Sequence, residues 1–485
     1  MGAFKKANPP EEGAFNAFET PDEIEPVVGE SIYMHNPHAA HVNTPESDLS
    51  GDMGNQEKQL YEPGEARYKR LGWKRLTIVM IVEAIALGTL SIPSTFATLG
   101  MVAGVICSVG IGCIAIYTSW IVGLVKLKFP HITTYPDAGG QMWGKFGFYL
   151  MDIMLCLQLT FLLGSHCLTG TIAFTTITKS SLCTIVWNVV SAIILFVLAI
   201  PPSFAEVAIL GYIDFASILA AVGITIIATG ITSHKAPGGL DAVNWGAWPK
   251  DDLKFSEAFN SISNILFAYS FAMCQFAFMD EMHTPEDFTK SIYLLGFIEI
   301  FIYTVTGALI FRFVGRDVQA PALLSAGDTI SRVAFGVALP VIFISGSINT
   351  TVLGRMIHGR IYRNSPIRFI NSPMGWTTWI MVIGTITVIA FIIAEVIPFF
   401  SDLLSICSAL FVSGFTFYFP PFFWFYLLRE GPWNRKNITL GALNVFCVAI
   451  GLLTLGAGTY SAIDDIIDQY RNGTVSGVFS CSKTS

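Results

Sequence analysis

The chain has 485 residues, of which 53% are hydrophobic and only 13% charged, and its mean hydropathy is +0.59. The charged share is about half that of a soluble domain, too small to cover a water-facing surface, so the composition excludes an ordinary soluble enzyme and points to a chain that faces lipid. The net charge of −7 is unevenly placed: thirteen acidic residues against Lys5, Lys6 and Lys58 fall within 1–65, the remainder is slightly basic, and no basic patch suggests a nucleic-acid partner.

Residues 1–70, rich in Pro, Glu, Asn and Gly, are expected to form a disordered acidic cytoplasmic tail. They contain no apolar run, so the first hydrophobic span, beginning near Leu76, is expected to act as the targeting signal. A ruler of about 20 apolar residues then predicts eleven spans, at 76–98, 100–125, 147–177, 182–200, 208–231, 257–279, 291–314, 332–354, 376–398, 402–428 and 438–461. The transmembrane domain is expected over 71–462 and a short extracellular tail over 463–485. With the N-terminus in the cytoplasm, 19 Lys and Arg fall inside and 9 outside, with none at mid-span. This bias predicts a cytoplasmic N-terminus, an extracellular C-terminus and a multi-pass protein of the plasma membrane. Asn472-Gly473-Thr474 is then a glycosylation sequon on the outer tail. Of nine cysteines, Cys183 and Cys481 lie near or beyond the membrane, where a disulfide is open to them; the other seven sit in apolar runs as small hydrophobes.

The first span carries Gly88-Thr89-Leu90-Ser91-Ile92-Pro93 at its middle. Pro93 removes a backbone donor and clashes with the carbonyl near Thr89, and Gly88 makes an unwound backbone cheap. Such a stretch is either a proline kink or an unwound segment from Gly88 to Ser91 whose free N–H groups cradle an anion such as an amino acid carboxylate. The sixth span is polar for its depth, with Asn260, Ser261, Ser263, Asn264, Tyr269, Ser270 and Gln275. The eighth span carries Ser345, Ser347, Asn349, Thr350 and Thr351. Polar groups at membrane depth either pack helices together or face a cavity. Glu83, five residues before Gly88, is the first choice for a titrating coupling group; Asp214, Glu299, Glu395 and His166 are further candidates, and Asp152 and Asp402 lie nearer span ends.

The run Glu83–Pro93 resembles the first helix of the amino acid/auxin permease family, and Leu266–Pro285, with Phe267-Ala268-Tyr269 and Glu281-Met282, is similar to its sixth. Gly164-Ser165-His166 and Phe419-Pro420-Pro421 are similar to fungal members, and the closest likeness is to fungal neutral amino acid permeases. The resemblance runs from about Leu71 to Tyr460. It implies an all-α polytopic membrane protein with a leucine-transporter-like 5+5 inverted repeat plus one helix, the first and sixth helices being broken at the midplane. Substrate would then contact Gly88, Thr89, Leu90, Ser91, Ala268, Tyr269 and Ser270, and coupling would use Glu83, Ser347 and Thr350. Many family members carry His where this chain has Ala272.

The function this implies is secondary active import of neutral, aliphatic and aromatic amino acids. The partners are the substrate, the lipid bilayer and a coupling ion, a proton in preference to sodium; no cofactor and no metal are expected. No catalytic or nucleotide-binding motif is readable, so no enzymatic activity is expected. The alternative is a non-transporting amino acid sensor on the same fold.

Overall fold

The computed structural model describes residues 72–202, 207–280, 282, 284–362, 365, 367, 370, 372–472, 479 and 481, and every element among them is helical. The expected disordered tail lies outside the described residues, as do the side chains of Glu83 and a few others. The helices are α1 (Trp73–Ala84), α2 (Leu87–Leu99), α3 (Met101–Lys128), α4 (Tyr135–Thr178), α5 (Thr184–Leu198), α6 (Val207–Lys235) and α7 (Phe255–Ala268). There follow α8 (Gln275–Asp280), α9 (Phe288–Val314), α10 (Asp328–Ile361), α11 (Pro373–Val396), α12 (Phe400–Leu428) and α13 (Arg435–Arg471). Among the described residues, eight of these segments are long and apolar enough to cross a membrane, and α5 is a shorter apolar helix.

Large apolar side chains such as Ile106, Ile227, Phe297, Phe301 and Val445 stand on the outside of the bundle. Water would penalise that surface, whereas hydrocarbon does not. The polar residues are turned inward: Asp214, Glu299, His166, Asn264 and Thr350 are all buried. This inversion is the pattern of a multi-pass membrane protein.

Both segments expected to be broken are broken, each by its own means. α1 ends at Ala84, and Ile85 and Ala86 leave helical geometry, with Ala86 at φ −120° and ψ −114°. The interruption therefore precedes Gly88 rather than running from Gly88 to Ser91. Those four residues form the first turns of α2, and Pro93 lies inside that helix. Three hydroxyls steady the turns around the proline: Ser91 donates to the Gly88 carbonyl at 2.9 Å, Ser94 to Ser91 at 2.7 Å and Thr95 to Ile92 at 2.7 Å. In the other segment α7 stops at Ala268, Tyr269 departs at φ −97° and ψ 35°, and a tight 3₁₀ turn, Ser270–Cys274, leads into α8. No glycine or proline breaks it; neighbours do. The Gln275 amide donates to the Ser119 carbonyl at 2.7 Å and accepts from the Ser119 hydroxyl, fixing the start of α8 on α3.

α4 and α10 pack along each other, α10 also lies on α6, and α2 lies on α7. α12 widens into π-helical turns over Ser408–Tyr418 and returns to α-helix at Phe419-Pro420-Pro421. The buried Tyr135 hydroxyl donates to the Phe415 carbonyl at 2.7 Å within that widened stretch. At the far end of the chain, α13 continues helically to Arg471, so the tail expected from 463 begins only after the helix. Its final turns are retained because the Asn260 amide donates to Asp402 at 2.9 Å and Asp465 at 2.8 Å, while Ser405 donates to the Asn260 carbonyl oxygen at 2.7 Å.

Ion pairs join segments that the sequence assigns to the same side of the membrane. Lys128 meets Glu430 and Arg360 meets Asp152 at one end of the bundle; Lys179 meets Asp328, and Lys254 meets Asp468 at 3.0 Å, at the other. The Lys128 ammonium holds the exposed Glu430 carboxyl below its usual range. Cys183 and Cys481 form a disulfide, 298 residues apart, at the same end as Lys179. Non-reducing digestion and mass spectrometry should therefore find the Cys183 and Cys481 peptides as one linked species, separating on reduction; two free thiols would contradict the pairing.

Candidate functional site

The two breaks face one another. α2 starts where α7 ends, and a Cβ placed on Gly88 would stand 2.7 Å from the Ala268 Cα and 2.9 Å from its Cβ. Only a hydrogen at position 88 permits that approach. Beside this contact lies a cavity of about 40 Å3, walled by Ala86, Gly88, His166, Ser270, Ser345 and Asn349, with Leu162, Phe267 and Phe271 as its apolar side.

The ends of the half-helices define its electrostatics. No side chain caps α2, so the amides of Leu87, Gly88 and Thr89 have no intrahelical acceptor and carry the positive end of the helix dipole. The C-terminal turn of α7, through Phe267, brings a negative end to the same place. The side-chain groups are sparse and uncharged. The His166 ring bonds to the Ile342 backbone, while its Nδ1 has no partner among the described residues. Ser345 donates to Asp214 at 2.5 Å, and Asn349 donates its Nδ2 to the Ser345 carbonyl at 3.0 Å, leaving its carbonyl oxygen as an acceptor. Among the described residues no Lys, Arg, Asp or Glu lines the cavity.

Of the predicted substrate residues, Gly88 and Ser270 line this cavity and Ala268 touches Gly88. Thr89, Leu90 and Ser91 are buried within α2, the last bonded to its own helix, and Tyr269 points its hydroxyl at Ser108 3.3 Å away. Ser347 and Thr350 donate to the carbonyls of Ile344 and Gly346 on their own helix; Ser345 and Asn349, on another face of α10, are the residues that reach the cavity. Glu83 stands on α1 two residues before the break, and its side chain lies outside the described residues. Ala272 is buried in the 3₁₀ turn, and Asn472 is exposed at the end of α13.

One residue escaped the sequence reading entirely. Tyr303, on α9 and fully buried, places its hydroxyl 3.1 Å from the Ala84 carbonyl and 3.1 Å from the Ala268 carbonyl. These are the last residues of α1 and α7, so one phenol supports both breaks. A lone Tyr in an apolar run gives no signal of this.

The arrangement matches known proteins along nearly its whole length. A family model described as transmembrane amino acid transporter protein matches residues 69–464. An N amino acid transport system protein of Neurospora crassa is 59% identical over 437 residues, covering 90% of this chain and 93% of that one. A transmembrane transporter of Fusarium pseudograminearum is 26% identical over 450 residues, covering 90% and 93%. Among solved structures, a nucleobase-cation-symport-1 family transporter in a closed conformation, with bromovinylhydantoin bound, superposes with a TM-score of 0.49 at 14% identity over 85% of this chain and 95% of that one. With the family model matching residues 69–464 and the Neurospora crassa relative 59% identical over 90% of the chain, the chain belongs to the transmembrane amino acid transporter family.

Proposed function

We propose that this protein imports neutral amino acids, aliphatic and aromatic, across the plasma membrane by proton symport. The observation that carries the reading is the cavity between two half-helix ends of opposite sign with, among the described residues, no charged side chain on its wall. A zwitterion suits it: the carboxylate on the amides of Leu87, Gly88 and Thr89, the ammonium toward the carbonyl end of α7, and an uncharged side chain against Leu162, Phe267 and Phe271. A cationic side chain would find no counter-charge there. The Neurospora crassa relative, by its printed name an amino acid transport protein, supports the same substrate class.

Eleven spans with the N-terminus inside accord with the side-by-side pairing of loops. Cys183 follows the third span and Cys481 the eleventh, and eight crossings between them return the chain to the same side. A disulfide suits an oxidising compartment, which supports the reading of that side, with the sequon at Asn472, as extracellular. A proton entering down the membrane potential supplies about 2.3 kcal/mol per 100 mV, or roughly 50-fold accumulation of a neutral substrate.

Purified protein in liposomes should take up labelled leucine and phenylalanine when an inward pH gradient is imposed, and should not concentrate arginine. Good arginine uptake with no leucine uptake would overturn the substrate assignment. Accumulation driven by sodium and indifferent to pH would overturn the coupling. No uptake at all by correctly folded protein would leave a sensor as the better description.

A further inference from the structure

Among the described residues, Glu299 is a buried carboxyl with neither oxygen accounted for. It lies mid-way along α9, is fully buried, and neither carboxylate oxygen has a hydrogen-bond partner among the described residues. No ion pair reaches it among those residues either. By contrast Asp214 accepts from Ser345, Asp402 accepts from Asn260 and Gln469, and Asp152 pairs with Arg360. An ionised carboxyl at that depth without a donor is costly to keep, so its presence calls for a use.

Its surroundings supply one. Tyr303 follows it by four residues on the same face of α9, and both Tyr303 and Tyr269 lie within its electrostatic reach. The two rings pack edge to face with centroids 5.1 Å apart. The Tyr269 hydroxyl meets Ser108 at 3.3 Å, and Ser108 meets Thr304 at 3.3 Å. The other titratable residues on the packed elements are few. α2 has none; α3 contributes Cys107, Cys113 and Tyr117; α6 contributes Tyr212, His234 and Asp214, which Ser345 holds; the turns flanking α9 contribute Glu286, Asp287 and Asp317; α1 contributes Glu83, whose side chain is outside the described residues. The lysines and arginines of α1, α3, α6 and α9 sit toward the span ends.

We propose that Glu299 is the proton-binding group of the transport cycle, and that Tyr303 is the positioning residue through which its charge is felt at both helix breaks. The proposal rests on the proton-symport reading and names the site of that coupling. While Glu299 is protonated, Tyr303 is free to hold the carbonyls of Ala84 and Ala268. When the carboxyl O–H bond breaks and the proton passes to water admitted from the cytoplasmic side, the carboxylate competes for the phenol protons of Tyr303 and Tyr269, because a charge-assisted bond outweighs a neutral one. The breaks lose their common support and the cavity rearranges. A proton from outside re-forms the O–H bond and restores the clasp.

The test uses the full chain in liposomes and labelled leucine, with Glu299→Gln and Glu299→Asp. Glu299→Gln mimics the protonated form: counterflow exchange without a gradient should stay within about twofold of wild type, while accumulation on an imposed pH gradient disappears. Glu299→Asp keeps a titrating group and should remain coupled, with its pH profile displaced. If Glu299→Gln accumulates leucine on the pH gradient as wild type does, the proposal falls while proton symport stands. If wild type itself ignores the pH gradient, proton symport falls and takes the proposal with it. Should Glu299→Gln fail to fold, an unshifted pH profile in Glu299→Asp overturns the proposal alone.

Discussion

A Gly88→Val protein is expected to reach the membrane and to carry no labelled leucine above background. The reason lies in the contact between the two breaks. A Cβ on residue 88 would stand 2.7 Å from the Ala268 backbone, closer than non-bonded carbons approach, and valine adds two methyl groups to it. Ala268 closes α7 and its carbonyl is within reach of Tyr303, so it cannot retreat without loosening the second break. Overpacking of this kind costs about 1–3 kcal/mol; levied on the cavity, that is roughly 10- to 100-fold in substrate affinity. The methyl groups also stand beside the amides of α2 that are assigned to the carboxylate. Gly88→Ala should lie between, with uptake reduced and not lost. Delivery is checked by surface biotinylation and uptake by radiolabel. Wild-type transport by a fully delivered valine protein would remove Gly88 from the site.

Much of the architecture was legible because the membrane imposes simple rules. Apolar runs of spanning length, basic residues kept off mid-span and polar residues gathered into the sixth and eighth spans gave the lipid-facing bundle and its polar interior. Gly88 could be named because a glycine beside a proline at membrane depth is conspicuous, whereas Ser270 was reached through the resemblance of the sixth span. The break itself was displaced: Pro93 drew attention forward to Gly88–Ser91, yet proline is tolerated inside a helix, and here the hydroxyls of Ser91, Ser94 and Thr95 bond the carbonyls of Gly88, Ser91 and Ile92 on the turns around it. The unwinding fell at Ile85-Ala86, two residues with no such mark, whose amides turn back onto the carbonyls of Ile81 at 2.9 Å and Ala84 at 3.1 Å while Tyr303 reaches the Ala84 carbonyl from α9. The α7–α8 break has no glycine or proline and owes its shape to Gln275 on Ser119 and to Tyr303. Which side of α10 reaches the cavity was likewise undecided by spacing alone, since Ser345, Ser347, Asn349 and Thr350 cover most of its circumference. Tertiary partners, rather than local propensity, settle such points.

Tyr303 gives the second large expectation. Tyr303→Phe keeps the ring and its packing against Tyr269 and removes one oxygen. That oxygen is placed to donate to the carbonyls of Ala84 and Ala268, both at 3.1 Å. The Ala268 carbonyl ends a half-helix, where no intrahelical amide remains to serve it, and membrane depth offers little water in exchange; the Ala84 carbonyl also accepts from the Ala86 amide at 3.1 Å. A buried acceptor left without its donor costs about 1–3 kcal/mol. The cost falls on the relative placement of the two breaks, because the same phenol is the common tie between them. Transport should therefore fall by roughly 10- to 100-fold. Exchange without a gradient and accumulation on a pH gradient should fall together, since the geometry of the cavity is what has been lost. That pattern separates Tyr303 from Glu299, whose Gln variant is expected to keep exchange and lose accumulation. The measurement is counterflow and pH-driven uptake of labelled leucine by Tyr303→Phe, with thermal unfolding followed in the same preparation. If both activities stay at wild-type rates, the two breaks do not depend on a shared donor. If only accumulation is lost, the tyrosine hydroxyl itself belongs to the path of the proton and not to the support of the cavity.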